Sequence, residues 1–234
     1  MTTERLRPRV RDPQAIPVIG TDAHLPPVHP ELLTPRGLRR HFADATAPWT
    51  PEFSGDGRAF EREFRAASVL VPLVQRDDGL HVLLTRRTDH LHDHAGQISF
   101  PGGRADDGDA DEIDTALRET VEEIGLDRTH IEVIGRLPIY TTITCYHVTP
   151  VVALVTPPFE LALDAFEVAE AFEVPLQFLM SPAHHRRHLF EHDGDRRHFL
   201  SMPWRAAGPE GEREYFIWGA TAAMLRNLYG FLAR

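Results

Sequence analysis

Residues 100–126, FPGGRADDGDADEIDTALRETVEEIGL, decide the fold of this chain because they join a glycine turn to an amphipathic helix. Asp109 is predicted as the N-cap, and Glu112 three positions later completes a capping box. Gly125 is predicted to end the helix. Four aliphatic residues recur at helical spacing and are expected to form one apolar face: Ile113, Leu117, Val121 and Ile124.

Three carboxylates are predicted on the side of the helix opposite that apolar face. Glu119, Glu122 and Glu123 are spaced i, i+3 and i+4, so they share one arc of the helix and repel each other. Such a cluster is usually a solvated acidic face. A Mg²⁺ or Mn²⁺ ion would instead turn the repulsion into binding energy, because hard cations prefer oxygen ligands. Arg118 precedes the cluster and is expected to orient one carboxylate.

The combination of a glycine turn with this acidic run resembles the Nudix box, G-x5-E-x7-R-E-U-x-E-E-x-G-U, in which U is aliphatic. The matching residues are Gly103, Arg118, Glu119, Glu122, Glu123, Gly125 and Leu126. The first acid of the box is Asp109 instead of Glu, the spacer to Arg118 is one residue longer, and Thr120 replaces an aliphatic residue. The resemblance implies an α/β fold, an α/β/α sandwich with a mixed β-sheet, and hydrolysis of a diphosphate.

The preceding residues 83–103, LLTRRTDHLHDHAGQISFPGG, form a basic, histidine-rich segment that leads into the glycine turn. Arginine forks suit phosphate groups, which favours a phosphate-contacting loop over a merely solvated one. The segment resembles the motif L-L-T-x-R-[SA]-x3-R-x3-G-x3-F-P-G-G of the coenzyme A pyrophosphatase group. Thr88 stands where Ser or Ala is usual. His92 stands where Arg is usual, so a permanent cation becomes a titratable one.

The resemblance implies a set of site residues and a reaction. Glu119, Glu122 and Glu123 are expected to hold Mg²⁺ or Mn²⁺, while Arg87, His92, Gly102 and Gly103 bind the substrate. The expected catalytic residues are Glu119, Glu122 and Glu170, with Glu122 or the remote Glu170 taking a proton from water. Glu167 and Glu170 lie within residues 166–179 at a spacing that also fits solvated helix acids. Coenzyme A would be cut to 3′,5′-ADP and 4′-phosphopantetheine.

Three alternatives remain open at this point. The same chemistry serves a pyrophosphatase for ADP-ribose or another nucleoside diphosphate derivative. A Nudix-fold module that binds nucleotide without catalysis would also carry these motifs, although the complete glutamate set argues against it. A zinc-binding interaction module would use a histidine-rich tract: His184, His185, His188 and His192.

Composition narrows the class of partner. The formal net charge of −10 argues against a broad nucleic-acid surface, so the expected partner is a small-molecule nucleotide of the coenzyme A class. A single cysteine, Cys145, excludes a disulfide within the chain and favours a reducing, cytoplasmic setting. No apolar run approaches the length of a membrane span, so no membrane association is expected.

The rest of the chain is predicted to divide at residue 64. Residues 1–64 form a proline-rich extension with a short helix after Pro35, and Trp49 and Phe53 dock it on the body of the protein or on the second subunit of a homodimer. Residues 65–234 form the Nudix domain. Its predicted strands are 66–74, 80–85, 131–134, one or two runs within 139–155, and 215–218, followed by a helix over 220–232.

Overall fold

The computed structural model describes residues 8–45, 48–57, 59–90, 95–208 and 211–234. In chain order the strands are β1 Val18–Thr21, β2 Arg65–Arg76, β3 Gly79–Arg87, β4 Ile98–Ser99, β5 Gly102–Arg104, β6 Ile131–Arg136, β7 Tyr140–Thr141, β8 Tyr146–Val155, β9 Val168–Pro175, β10 Arg186–His192, β11 Asp195–Gly208 and β12 Gly211–Trp218. The α-helices are α1 Pro35–Asp44, α2 Glu112–Ile124, α3 Leu176–Leu179 and α4 Gly219–Leu232. Short 3₁₀ turns occupy Pro30–Leu33, Arg128–His130 and Pro182–His184.

The strands form two sheets. The larger sheet has eight strands, with β2 parallel to β8 and its other described pairs antiparallel, so the predicted mixed sheet is confirmed. The smaller sheet is antiparallel, in the order β1-β10-β11-β12. The predicted hairpin is β2–β3, which turns at Asp77-Asp78 and pairs Arg76 with Gly79. Gly79 has a φ of +131°, a backbone conformation that favours glycine.

Alternation along β2 and β8 divides the core into layers. Leu70 and Val151 pack with Ala116 of α2 on one face of the large sheet. Val71 and Val152 point to the opposite face, where they join a cluster that includes α4 and the small sheet. The large sheet therefore lies between α2 on one side and α4 with the small sheet on the other, as the α/β/α prediction requires.

The N-terminal arm packs on the body of the same chain. The predicted helix after residue 34 is α1, and its N-cap Thr34 accepts a hydrogen bond from Gly37 N at 3.0 Å. Phe53 and Asn227 of α4 exchange two hydrogen bonds of 3.1 and 2.7 Å. The ring centroids of Trp49 and Phe231 are 5.9 Å apart. These contacts correspond to the predicted docking on the body of the protein, and docking on a second subunit stays a prediction.

A network of ion pairs, two of whose four charges are buried, fastens this arm to α4 and β10. Arg226, which is 4% exposed, lies 3.1 Å from Asp22 and 2.6 Å from Glu52. Arg187 of β10 contacts the same two carboxylates at 2.6 and 2.7 Å. Two arginines and two acids from four parts of the chain therefore form one network.

Residues 166–179 do not form the helix that the alternative of solvated helix acids at Glu167 and Glu170 assumes. Most of this segment is a strand, β9, and only its last four residues form the short helix α3. The strand arises because β9 pairs with β3 along its length, a long-range contact that local helical spacing does not reveal. None of the helices in the described part of the chain is long and apolar enough to cross a membrane.

Candidate functional site

The start of α2 differs from the prediction. Asp111 is the N-cap, and its side chain accepts a hydrogen bond from Asp114 N at 2.8 Å. Asp109 instead accepts a hydrogen bond from Arg118 Nε at 2.7 Å, and this contact holds the pKa of Asp109 well below its usual range. The loop before the helix contains several aspartates that can cap it, and Asp109 does not do so because it pairs with Arg118. The predicted end at Gly125 is confirmed, with a φ of +66°.

The buried side of α2 also differs from the predicted apolar face. Val121 is 39% exposed, whereas Glu123 is only 5% exposed. The buried residues are Thr115, Ala116, Thr120, Glu123 and Ile124. The helix is rotated in this way because its carboxylate side packs against β5, whose two glycines have no side chains. Spacing within the helix could not show this, since β5 supplies the reason.

Gly102 and Gly103 bring the main chain against the carboxylates. A Cβ added to Gly103 would lie 2.4 Å from Glu119 Oε2. Gly102 has a φ of +148°, and its N–H donates to Glu123 Oε2 at 3.0 Å. A Cβ on Gly102 would lie 2.4 Å from the carbonyl oxygen of Ser68. Both positions therefore require glycine for close approach of the backbone.

Arg118 connects the acidic residues of the helix. Its Nη1 atom donates to Glu119 Oε1 and to Glu122 Oε2, each at 2.9 Å. Its Nη2 atom donates to Asp109 Oδ2 at 2.9 Å and to the carbonyl oxygen of Arg104 at 3.1 Å. The orienting contact expected of Arg118 is present, and it reaches two glutamates instead of one.

A fourth carboxylate faces this cluster from outside the helix. Arg87 Nη1 lies 3.5 Å from Glu123 Oε1, and Arg87 Nη2 lies 3.6 Å from Glu167 Oε2. Sequence reasoning considered Glu167 but selected Glu170 as the remote carboxylate. Glu167 immediately precedes β9, whereas Glu170 lies within the strand, opposite Arg86.

Glu170 lies elsewhere. Arg86, its partner in the β3–β9 register, belongs to the face of the sheet turned away from α2. Glu170 Oε1 accepts a hydrogen bond from the Tyr215 hydroxyl at 2.6 Å, and Oε2 lies 2.7 Å from Arg213 Nη1. The structure therefore does not bring Glu170 to the acidic cluster.

The acidic cluster has the chemistry of a cation site. Burial raises the pKa of Glu123 to about 7, and nearby Glu167 and Glu119 add to the rise. Burial also raises the pKa of Glu119, with Glu122 and Glu167 contributing. Within the described residues, no group of three or more His, Cys, Asp or Glu side chains is already assembled around a metal position. The donor set nevertheless fits Mg²⁺ or Mn²⁺, because a hard cation would neutralise carboxylates that burial and mutual repulsion destabilise.

A cavity of about 430 Å³ opens next to this cluster. Arg87, Gly102 and Gly103 line it and also contact the carboxylates described above. Among the described residues, the charged side chains that line the cavity are Arg9, Arg62, Arg87, Arg104, Arg197 and a single acid, Asp56. Sequence reasoning found only Arg87, because most of the other arginines come from distant segments without a local motif. His92 lies outside the described residues.

The histidine-rich tract does not form the zinc site considered as an alternative. His185 is buried, with Nε2 2.7 Å from the carbonyl oxygen of Leu179. His188 uses one ring nitrogen on the carbonyl oxygen of Ile16 at 2.9 Å and the other on Ser201 Oγ at 2.8 Å. Their nitrogens are occupied, and the described side chains hold no group suited to a metal there.

Comparison with known proteins identifies the family. The NUDIX domain model matches residues 64–197. A relative from Escherichia coli strain K12, described as the uncharacterized Nudix hydrolase NudL, is 42% identical over 166 residues, which cover 70% of this chain and 81% of the relative. A solved Ap4A hydrolase from C. elegans is 21% identical with a TM-score of 0.42, covering 51% of this chain and 85% of that one. A MutT/nudix family protein from Enterococcus faecalis is 15% identical, also with a TM-score of 0.42, covering 86% and 75%. The chain belongs to the Nudix hydrolase family and acts on diphosphate bonds.

Proposed function

We propose that this enzyme hydrolyses the diphosphate of coenzyme A or its derivatives, giving 3′,5′-ADP and 4′-phosphopantetheine or its acyl form. One observation carries the proposal: a cavity lined by five arginines and one acid shares Arg87, Gly102 and Gly103 with a cluster of carboxylates. Arginine forks favour phosphate oxygens, and Arg87 of the cavity lining also contacts the carboxylate of Glu123. A nucleotide diphosphate placed there meets both.

The acidic cluster is the proposed site of metal binding. Glu119, Glu122 and Glu123 would hold Mg²⁺ or Mn²⁺, with Glu167 facing them. Such an ion neutralises diphosphate charge and lowers the pKa of bound water. Arg118 fixes the carboxylates of Glu119 and Glu122 through one guanidinium nitrogen. The Gly102 N–H fixes Glu123 in the same manner. These hydrogen bonds hold the carboxylates in place before a cation binds, so the side chains lose less conformational freedom when it does.

Proton transfer is assigned to a glutamate that reaches solvent. The Glu122 side chain is 58% exposed, whereas that of Glu123 is 6% exposed, so Glu122 is the helix carboxylate that meets water. We propose Glu122 as the general base, with Glu167 as the remote candidate in place of Glu170. Both Glu122 and Glu167 raise the pKa of Glu119, so the three carboxylates interact electrostatically.

Arg87 supports the coenzyme A assignment because it connects sequence and geometry. It occupies the arginine position of the motif in residues 83–103 and lines the cavity. Its guanidinium lies 3.5 Å from Glu123 and 3.6 Å from Glu167. A substrate phosphate would compete with these carboxylates for Arg87, and a cation bound by the carboxylates would release the guanidinium toward the phosphate. We propose that His92 contacts the same phosphates.

A metal-dependent hydrolysis panel tests the proposal. Coenzyme A, dephospho-coenzyme A, ADP-ribose and a dinucleoside polyphosphate are each incubated with Mg²⁺ or Mn²⁺, and the products are identified by mass spectrometry. We expect coenzyme A to give the highest kcat/KM, with 3′,5′-ADP among its products. Preference for ADP-ribose would overturn the substrate assignment but retain the family chemistry. Nucleotide binding without turnover of any substrate would support the non-catalytic module.

A further inference from the structure

Arg197 differs from the other arginines of the cavity in its contacts. It lies on β11 and faces the cavity that also contains Arg87. Its Nη1 atom is buried and has no hydrogen-bond partner among the described residues. The contact described for its guanidinium is with the ring of Phe190, 5.8 Å from the ring centroid. A guanidinium stays charged at any physiological pH, so this position holds a positive charge that a ligand can neutralise.

The surroundings of Arg197 reinforce its charge at the cavity wall. Tyr140 is buried and donates to Asp56 at 2.7 Å, and Arg197 acts on the same phenol by lowering its pKa against the stronger effect of burial. Asp56 and Arg197 both line the cavity. Asp56 accepts a hydrogen bond from the Tyr140 hydroxyl, and Arg197 adds a positive charge to the wall of the same cavity.

Aromatic rings accompany this cation. Phe199, two residues further along β11, and Trp218 at the end of β12 line the cavity, and their ring centroids are 5.8 Å apart. Trp218 is only partly buried, and such a ring in the same cavity as a guanidinium suits a nucleobase whose sugar carries a phosphate, since the base stacks while the phosphate pairs with the cation. The diphosphate is assigned to the Gly102–Gly103 side, so the phosphate at Arg197 is a different one.

We infer that Arg197 binds a phosphate monoester of the substrate that is separate from the diphosphate being cut. The inference rests on the proposed function and makes it more specific, because in coenzyme A this group is the phosphate on the 3′ position of the ribose. The small sheet then selects the substrate, while α2 and β5 carry the chemistry. Sequence segments on both sides of the glycine turn contribute to one binding site.

The first test compares Arg197→Gln with Arg196→Gln, a matched neutral control one residue away whose side chain is 68% exposed and pairs with Glu191. For Arg197→Gln we expect KM for coenzyme A to rise about 10- to 100-fold, the usual effect of losing one charge-assisted hydrogen bond. KM for dephospho-coenzyme A stays within about twofold, and kcat changes by less than about threefold, because neither involves the lost contact. Equal losses on both substrates, or no loss on either, would overturn the inference.

The second test separates binding from hydrolysis. Calorimetric titration of metal-free protein with 3′,5′-ADP and with 5′-AMP measures the contribution of the extra phosphate without turnover. We expect wild type to prefer 3′,5′-ADP by about tenfold or more, and Arg197→Gln to lose that preference. If coenzyme A is hydrolysed but the preference is absent, Arg197 loses this role and the proposed function stands. If coenzyme A is not hydrolysed, the proposed function fails, and the titration still decides whether Arg197 binds a separate phosphate.

Discussion

The backbone of Gly103 lies against the carboxylate of Glu119, so that an added Cβ would stand 2.4 Å from Oε2 and 2.6 Å from Cδ. Real Cβ atoms do not approach other atoms this closely. Glycine is therefore required at this position of the motif, on the α2 side of the sheet, because a larger residue would collide with Glu119. It leaves the space in which a carboxylate of the helix sits.

Gly103→Ala is expected to displace Glu119 and to lower kcat about 100-fold, because a misplacement of about 1 Å at a reacting centre has an effect of this size. The measurement is steady-state hydrolysis of the best substrate from the panel, with thermal unfolding to report folding. Gly108→Ala is the matched control. It lies five residues further along the chain, and a Cβ there would meet no atom within 4 Å. Equal activity in the two variants would contradict the role given to Gly103.

Removing single negative charges from α2 is expected to separate two roles. Glu123→Gln keeps the size of a buried side chain but removes a proposed ligand, so we expect the metal concentration for half-maximal activity to rise at least about tenfold. Glu122→Gln is expected to lower kcat about 100-fold or more at saturating metal, as loss of a general base does. Metal titrations of activity measure both quantities.

Glu112→Gln serves as the control for these two variants. Glu112 lies in the first turn of the same helix and pairs with Arg136 at 2.9 Å, at the surface. It should leave both metal dependence and kcat close to wild type. Unchanged turnover in Glu122→Gln and Glu123→Gln at saturating Mg²⁺ would remove the assignment of the site to this helix.

Glu167 and Glu170 are expected to respond differently to the same substitution. Glu167→Gln should lower kcat about tenfold or more, because Glu167 shares Arg87 with the acidic cluster. Glu170→Gln should leave kcat within about threefold and lower the free energy of unfolding by about 1 kcal/mol, through weaker contacts with Tyr215 and Arg213. Kinetics and urea unfolding of both variants provide the comparison. A larger kcat loss in Glu170→Gln would restore the original assignment from sequence.

The differences between the predicted and the observed structure show which features a local sequence pattern can predict. The β2–β3 hairpin and the end of α2 at Gly125 depend on residues close in sequence, so alternation and a glycine sufficed to predict them. The burial of Glu123 depends on β5, and the position of Glu170 depends on pairing between β9 and β3. Helical spacing treats the three glutamates of α2 alike, whereas their tertiary partners make them unequal. Arg197 has no motif at all, because its role is defined by a cavity that distant segments enclose.

His185 is expected to make stability depend on pH. Its Nε2 lies 2.7 Å from the carbonyl oxygen of Leu179, and Arg226 Nη1 lies 3.1 Å from its Nδ1. Arginine only donates, so Nδ1 accepts and Nε2 carries the proton of a neutral ring. Burial lowers the pKa of His185 from 6.5 to about 4. The unfolded chain therefore binds the proton first, and stability falls as pH decreases from about 6.5 toward about 4.

The expected loss from His185 is about 2 kcal/mol between about pH 7.5 and about pH 5, at roughly 1.36 kcal/mol for each pH unit below 6.5. Glu123 acts in the opposite direction, because its raised pKa lowers stability as pH rises from about 4.5 toward about 7. Urea unfolding should therefore compare wild type with His185→Gln, so that the contribution of Glu123 cancels. Replacement of the exposed His24 by Gln is the control. Parallel pH profiles for wild type and His185→Gln would exclude the effect.

The network of Arg226, Arg187, Asp22 and Glu52 has a consequence for where this protein can be cut. The family match begins at residue 64, yet both acids of the network precede that point. A fragment starting there would lose both carboxylates that pair with Arg226 and Arg187, and breaking a buried ion pair costs about 3–5 kcal/mol, which rivals the stability of a whole domain. We therefore expect the segment that matches the family model to be shorter than the shortest fragment of this chain that folds by itself.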